Sequence, residues 1–149
     1  MLVRDVMTHP AETIEPEETL ETAARKMKEL GVGALAVCEQ DLVIGILTDR
    51  DIVVRSVAEG RDPAAAHVRS AMTPQVVECG EDDELDAAVA RMEQGAVRRV
   101  VVLDAAKRLV GLLSVDDVAL HSRALAGEII EHVRVPERPI QRGPWPWRE

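Results

Sequence analysis

"GILTDRDIV" occupies residues 45–53, and "GLLSVDDVA" occupies residues 111–119. Each reads as the end of an apolar strand, a turn and the opening of a helix. Gly45 matches Gly111, Thr48 matches Ser114 and Asp51 matches Asp117, all at a spacing of 66. A hydroxyl followed three residues later by an acid is the pattern of a capping box, in which each side chain bonds the other's backbone N–H. Such a cap contributes about 1 kcal/mol and needs no ligand. Three features ask for more. The acid is Asp both times, where Glu or Gln is usual. A glycine precedes the hydroxyl by three in both copies, and glycine inside a strand marks close approach by another group. A helix N-terminus is also a natural place for an anion.

The repeat extends well beyond this turn. "VRDVMT" (3–8) recurs as "VRSAMT" (68–73), and "ETLETAARKMKELGVGALAVCEQ" (18–40) aligns with "DELDAAVARMEQGAVRRVVVLDA" (83–105), both at a spacing of 65. One inserted residue near Ala106 accounts for the change to 66. In the first copy Leu20, Ala23, Ala24, Met27 and Leu30 recur at helical spacing; in the second, Leu85, Ala88, Val89 and Met92 repeat the stripe. Pro16 and a pair of glutamates open the first helix and Gly31 follows its end. An apolar strand comes next (34–38, then 99–103), then the short turn "EQD" or "DAAKR", then a second strand, "LVIGIL" or "LVGLL". Strands so closely spaced predict a hairpin. The order per copy is short strand, helix, strand, strand, helix. The organisation read from this is repeat 1 over 1–65, repeat 2 over 66–132, and a tail over 133–149 that carries Pro, Arg and Trp. A unit of about 60 residues buries too little surface to be robust alone. Its strands are apolar on both faces, so each sheet needs cover on two sides. Helices supply one cover; the other copy supplies the second.

Composition narrows the function. The 149 residues contain no Phe and no Tyr, and both tryptophans lie in the last five residues, so the core is aliphatic. Net charge is −9, distributed as −6 over 1–65, −5 over 66–132 and +2 over the tail. An acidic body without aromatic platforms argues against nucleic-acid binding. Two cysteines are too few for a disulfide framework, and Cys38, in "ALAVC", is expected to pack as a small hydrophobe. His9, His67, His121 and His132 share no metal-ligand spacing, and neither a nucleophile–base pairing nor a glycine-rich phosphate loop stands out. No run reaches transmembrane length and the N-terminus lacks a signal-peptide core, so a cytoplasmic location is expected.

With these segments in view, residues 1 to about 130 resemble a tandem pair of cystathionine β-synthase (CBS) domains, the Bateman module. The resemblance is carried by "DVMT", by the "TL…AA…M…LGVGALAV" run and above all by "GILTDRD" and "GLLSVDD". It implies an α+β fold of two pseudo-symmetric repeats with their sheets packed face to face. It implies a non-catalytic regulatory module that binds an adenosine-containing ligand (AMP, ADP, ATP, S-adenosylmethionine or NAD) in clefts between the repeats, with no catalytic cofactor and no metal. Carried over by position, Thr48 and Asp51 serve one cleft and Ser114 and Asp117 the other, the acid taking the ribose hydroxyls and the hydroxyl contacting ribose or phosphate. Gly33 and Ala34 align with the strand start whose backbone takes the adenine edge. The second copy departs here: Arg98 and Arg99 stand at the matching positions, and Arg99 either reaches a phosphate or narrows its cleft. Arg50, inside the first motif, balances a phosphate chain better than Asp116, its counterpart. The two clefts are therefore expected to be inequivalent. The chain shows no further domain to regulate, so a signal is expected to act in trans, on an unidentified protein target or through a homodimer joined by the apolar faces of 118–130. The alternative is a structural or interaction dimer with vestigial, ligand-free clefts, in which the repeated turns are caps and nothing else.

Overall fold

The computed structural model describes residues 1–133, so the expectations for the tail beyond Val133 lie outside the described residues. Strand β1 (Thr13–Ile14), helix α1 (Leu20–Leu30), strands β2 (Ala34–Glu39) and β3 (Leu42–Thr48) and the short helix α2 (Asp49–Ile52) form the first half. Strand β4 (Glu78–Gly80), helix α3 (Leu85–Gly95), strands β5 (Arg99–Leu103) and β6 (Leu109–Ser114), and helices α4 (Val115–His121) and α5 (Arg123–His132) form the second. Each half holds a three-stranded sheet, in the orders β1-β2-β3 and β4-β5-β6, with the first pairing parallel and the second antiparallel. The expected order of short strand, helix, hairpin and helix is thus met twice.

Local chemistry explains the boundaries. Helix α1 begins later than Pro16 suggests, because the Thr19 hydroxyl accepts from the Thr22 amide and makes Thr19 the cap. Gly31 ends it in the left-handed region at φ 65°, and Ala96 takes the same role after α3 at φ 50°. Leu20, Ala23 and Met27 are buried as the stripe predicts, whereas Ala24 and Leu30 face out. The first hairpin turns on Gln40 and Asp41, both at positive φ, the backbone of a tight two-residue loop. The second turn is longer, as the inserted residue requires. Asp104 organises it by accepting from the Ala106 and Arg108 amides, and these bonds, the Arg108 amide foremost, hold its carboxyl below its ordinary pKa.

Period two along the strands divides the core into three layers. Leu35, Val37 and Leu47 face α1, and Val100, Val102 and Leu113 face α3 and α5. The alternate positions Ala34 and Ile46 pack against Val101 and Leu103, which places the two sheets face to face. Side chains such as Leu35 and Leu47, both fully buried, each contribute roughly 1.5–3 kcal/mol. Cys79 belongs to the second core, where burial, seconded by Asp83, pushes its thiol up to about 11 and keeps it a neutral packing group. Cys38 is half-buried at the end of β2, and burial raises its thiol too.

The cores are not built from their own sequence repeats alone. Val3 and Val6 sit in the core of the second half, and Val68 and Ala71 in that of the first. Residues 1–8 run alongside the second sheet: Val3 N–H donates to Asp83 O, and Thr8 and Leu112 exchange two backbone bonds. Residues 66–73 do the same for the first, through Val68 N–H to Glu18 O and the Thr73–Ile46 pair. Gly45 and Gly111 make these crossings possible. A Cβ on Gly45 would lie 2.8 Å from Met72 Sδ and 2.8 Å from Thr73 O; one on Gly111 would lie 2.6 Å from Met7 Sδ and 2.9 Å from Thr8 O. The close approach that the repeated glycines announce is therefore made by the protein's own chain.

The Gly111→Ala variant should lose about 1–3 kcal/mol through this clash with backbone as well as with sulfur. Urea unfolding measures it; a variant as stable as the parent would mean that the crossing segment yields freely.

Candidate nucleoside site

Both repeated turns form the cap that their spacing predicts. Asp51 N–H donates to Thr48 Oγ1 at 3.1 Å and Thr48 N–H donates to Asp51 Oδ2 at 2.9 Å. Asp117 N–H donates to Ser114 Oγ at 3.2 Å and Ser114 N–H donates to Asp117 Oδ2 at 2.9 Å. In the second turn the Ser114 hydroxyl is also 2.9 Å from Asp117 Oδ2. Each acid commits one oxygen to its cap. What the other oxygen meets differs between the halves.

Asp117 Oδ1 accepts from the Thr8 hydroxyl at 3.2 Å, and both residues line a cleft of about 240 Å³. Gly33 and Ala34, at the start of β2, form another wall of it, and Ser114 and Arg99 complete the set of sequence-expected residues that meet there. The cleft lies between the repeats, with the hydroxyl and acid from one and the strand start from the other. Gly33 keeps its wall low: a Cβ there would come within 3.3 Å of Asp49 Oδ2 and 3.7 Å of Arg99 Nη2. Thr8, Glu12 and Asp116 also line the cleft and were not singled out as site residues from the sequence. Thr8 had a signal, since "DVMT" and "SAMT" end on the same residue in register.

Asp51 Oδ1 instead lies 3.9 Å from Arg55 Nε, one helical turn on. The Arg55 guanidinium also donates from Nη1 to Ala71 O and Met72 O at 3.0 Å and to the Thr73 hydroxyl at 3.2 Å. Thr73 is the counterpart of Thr8, so an arginine stands between hydroxyl and acid in the first half where the two bond directly in the second. Thr48 pairs with Ala34 across the first hairpin. Arg50 is exposed at the start of α2 and does not line the cleft that holds Asp117. Among the described residues no cluster of three or more His, Cys, Asp or Glu side chains is placed to hold a metal ion, and no helix is long and apolar enough to cross a membrane. His121 and His132 fall on separate helices, because the chain breaks at Ser122 and restarts with that residue as the α5 cap.

The fold is shared with known proteins. The sequence model of the CBS domain matches residues 3–57 and 68–123. The chain is 35% identical over 133 residues to the CBS domain-containing protein YhcV of Bacillus subtilis, covering 88% of this chain and 94% of that one. Its fold matches the crystal structure of a conserved CBS domain protein of Thermoplasma acidophilum with a TM-score of 0.79, at 23% identity, over 89% of this chain and 75% of that one. It also matches a hexameric CBS-CP12 protein of bloom-forming cyanobacteria with a TM-score of 0.74, at 29% identity, over 82% of this chain and 68% of that one. The chain belongs to the CBS domain family and carries the tandem pair typical of regulatory and signal-transduction modules.

Replacing Ser114 with Ala removes the cap acceptor and the hydroxyl's bond to Asp117 together. The expected loss is about 1–2 kcal/mol in thermal or urea unfolding; no loss would show that the turn is held by its surroundings alone.

Proposed function

We propose that this CBS pair is a non-catalytic sensor that binds an adenosine-containing ligand in the Asp117 cleft. The observation that carries the reading is the meeting of four features at one place: a carboxylate, a hydroxyl, a small-residue strand start and an arginine, drawn from both repeats. A carboxylate offers about four acceptor positions, enough to hold a vicinal diol by charge-assisted bonds while one oxygen stays in the cap. The small residues Gly33 and Ala34 leave room for the plane of a purine. The Thr8 hydroxyl can rotate from Asp117 to the ligand. The Asp51 side, where the Arg55 guanidinium already stands 3.9 Å from the acid, is the weaker of the two sites in this reading.

A homodimer belongs to the same reading. Val53, Val54 and Val57 after α2, Leu120 on α4 and Ile130 on α5 are exposed apolar side chains on the outer helices. The described structure divides the expected 118–130 face into two helices, whose inward residues Val118, Ala126 and Ile129 are committed to the core. The exposed residues remain for a second copy, and the hexameric relative shows that a CBS protein of this fold can assemble. Light scattering should give a dimer mass for the parent and a monomer mass for Val54→Asp combined with Leu120→Asp; a monomeric parent would end the dimer proposal.

The second reading, a scaffold with vestigial clefts, has its own support. Complete capping boxes account for both acids, and the crossing segments account for both glycines, with no ligand needed. A thermal-shift panel of AMP, ADP, ATP, S-adenosylmethionine and NAD separates the two. A ligand at 100 times its Kd adds about 2.7 kcal/mol. Asp117→Glu should keep the cap, and so the melting of the free protein, but crowd the sugar and abolish the ligand's stabilisation. Silence across the panel, or an equal response from the Glu variant, would favour the scaffold.

A further inference from the structure

The repeats agree closely at the motif turn but reverse sign at one position. Arg50 stands between Asp49 and Asp51, and its counterpart is Asp116. The reversal falls on a residue that lines the cleft. The ionisable residues lining it are Glu12, Asp116 and Asp117, which are acidic, and Arg99, which is basic, for a formal charge of −2. The Arg99 guanidinium stands at the Gly33 wall, its Nη2 3.7 Å from where a Gly33 Cβ would lie, and among the described residues it forms no ion pair with the three acids. Two of the three backbone donors at the turn are already spent, Val115 N–H on Arg98 O and Asp117 N–H on Ser114 Oγ, which leaves the Asp116 N–H. A phosphate chain entering this cleft would therefore meet like charge with few donors to offset it, in a partly enclosed space where screening is weaker than in bulk water.

We propose that Asp116 limits the phosphate number of the ligand, so that the Asp117 cleft takes a nucleoside whose 5′ substituent is neutral or cationic and rejects polyphosphates. The inference rests on the reading of the cleft as a nucleoside site. Asp116 is suited to this role because it is exposed and is not the capping acid, so its charge can be changed without dismantling the turn. The first repeat shows that the turn accepts arginine at this place.

The test is titration calorimetry of the full chain with adenosine, S-adenosylmethionine, AMP and ATP, in EDTA so that no divalent cation masks the phosphates. The parent should bind ATP at least about tenfold more weakly than adenosine, with S-adenosylmethionine no weaker than adenosine. Asp116→Arg should tighten ATP by about tenfold or more and leave adenosine nearly unchanged, and Asp116→Asn should fall between. Raising the salt should narrow the parent's preference, as charge repulsion requires. Unchanged melting curves confirm that the variants fold. ATP binding to the parent as tightly as adenosine, or an ATP-to-adenosine ratio that Asp116→Arg leaves unmoved, would overturn the inference while the nucleoside reading stands. Failure of all four compounds to bind would overturn that reading and this inference with it.

Discussion

The fold depends on a trade of chain between its halves. Neither sheet is finished by its own sequence repeat: Thr8 bonds Leu112, and Thr73 bonds Ile46, each through a reciprocal pair of backbone bonds. Val3 and Val6 then fill one core, and Val68 and Ala71 the other. The trade needs a notch in the receiving strand, since backbone cannot cross a strand at this distance over a side chain. Gly45 and Gly111 are those notches, and each coincides with the irregularity in its hairpin's register. The face-to-face packing of the sheets, the position of Thr8 beside Asp117 and the cleft itself all follow from where these segments cross.

The motif turn serves two ends with one carboxylate. One oxygen of Asp117 closes the cap; the other faces the cleft and meets Thr8. Aspartate is short enough to divide its oxygens in this way, whereas the longer glutamate of an ordinary capping box is free to bend back entirely on its own helix. The first half puts the corresponding oxygen of Asp51 near a guanidinium instead. The halves thus share their backbone chemistry and part company in a few side chains, Arg55 and Asp116 foremost.

Much of this was legible in the residues. The two-fold repeat, the hairpins, the helix stripes and the inserted residue in the second turn are all matters of local periodicity, and local periodicity survives folding. Strands apolar on both faces predicted the packing of sheet on sheet, and Leu35 and Ala34 point to opposite layers accordingly. The meeting of Gly33, Ala34 and Arg99 with Ser114 and Asp117 in one cleft was not legible, since the repeat sets Gly33 and Ala34 against Arg98 and Arg99 as counterparts and does not say which turn each strand start faces. The crossing segments were not legible, because a sequence repeat says which residues are alike and not which core they enter. For that reason the glycines read as room for a ligand and proved to be room for the chain. Arg55 was overlooked because its bonds to residues 71–73 span the linker between repeats, a distance over which sequence spacing carries no information. The break at Ser122 was hidden inside a run that looks helical throughout.

One consequence of the traded segments reaches back to how such a pair could arise. A solitary repeat has the same unfilled seam as either half here, and two separate copies could fill it only by lending strands to one another. Their meeting would then depend on abundance. Joining the copies end to end makes the exchange intramolecular, so that the seam closes at any dilution.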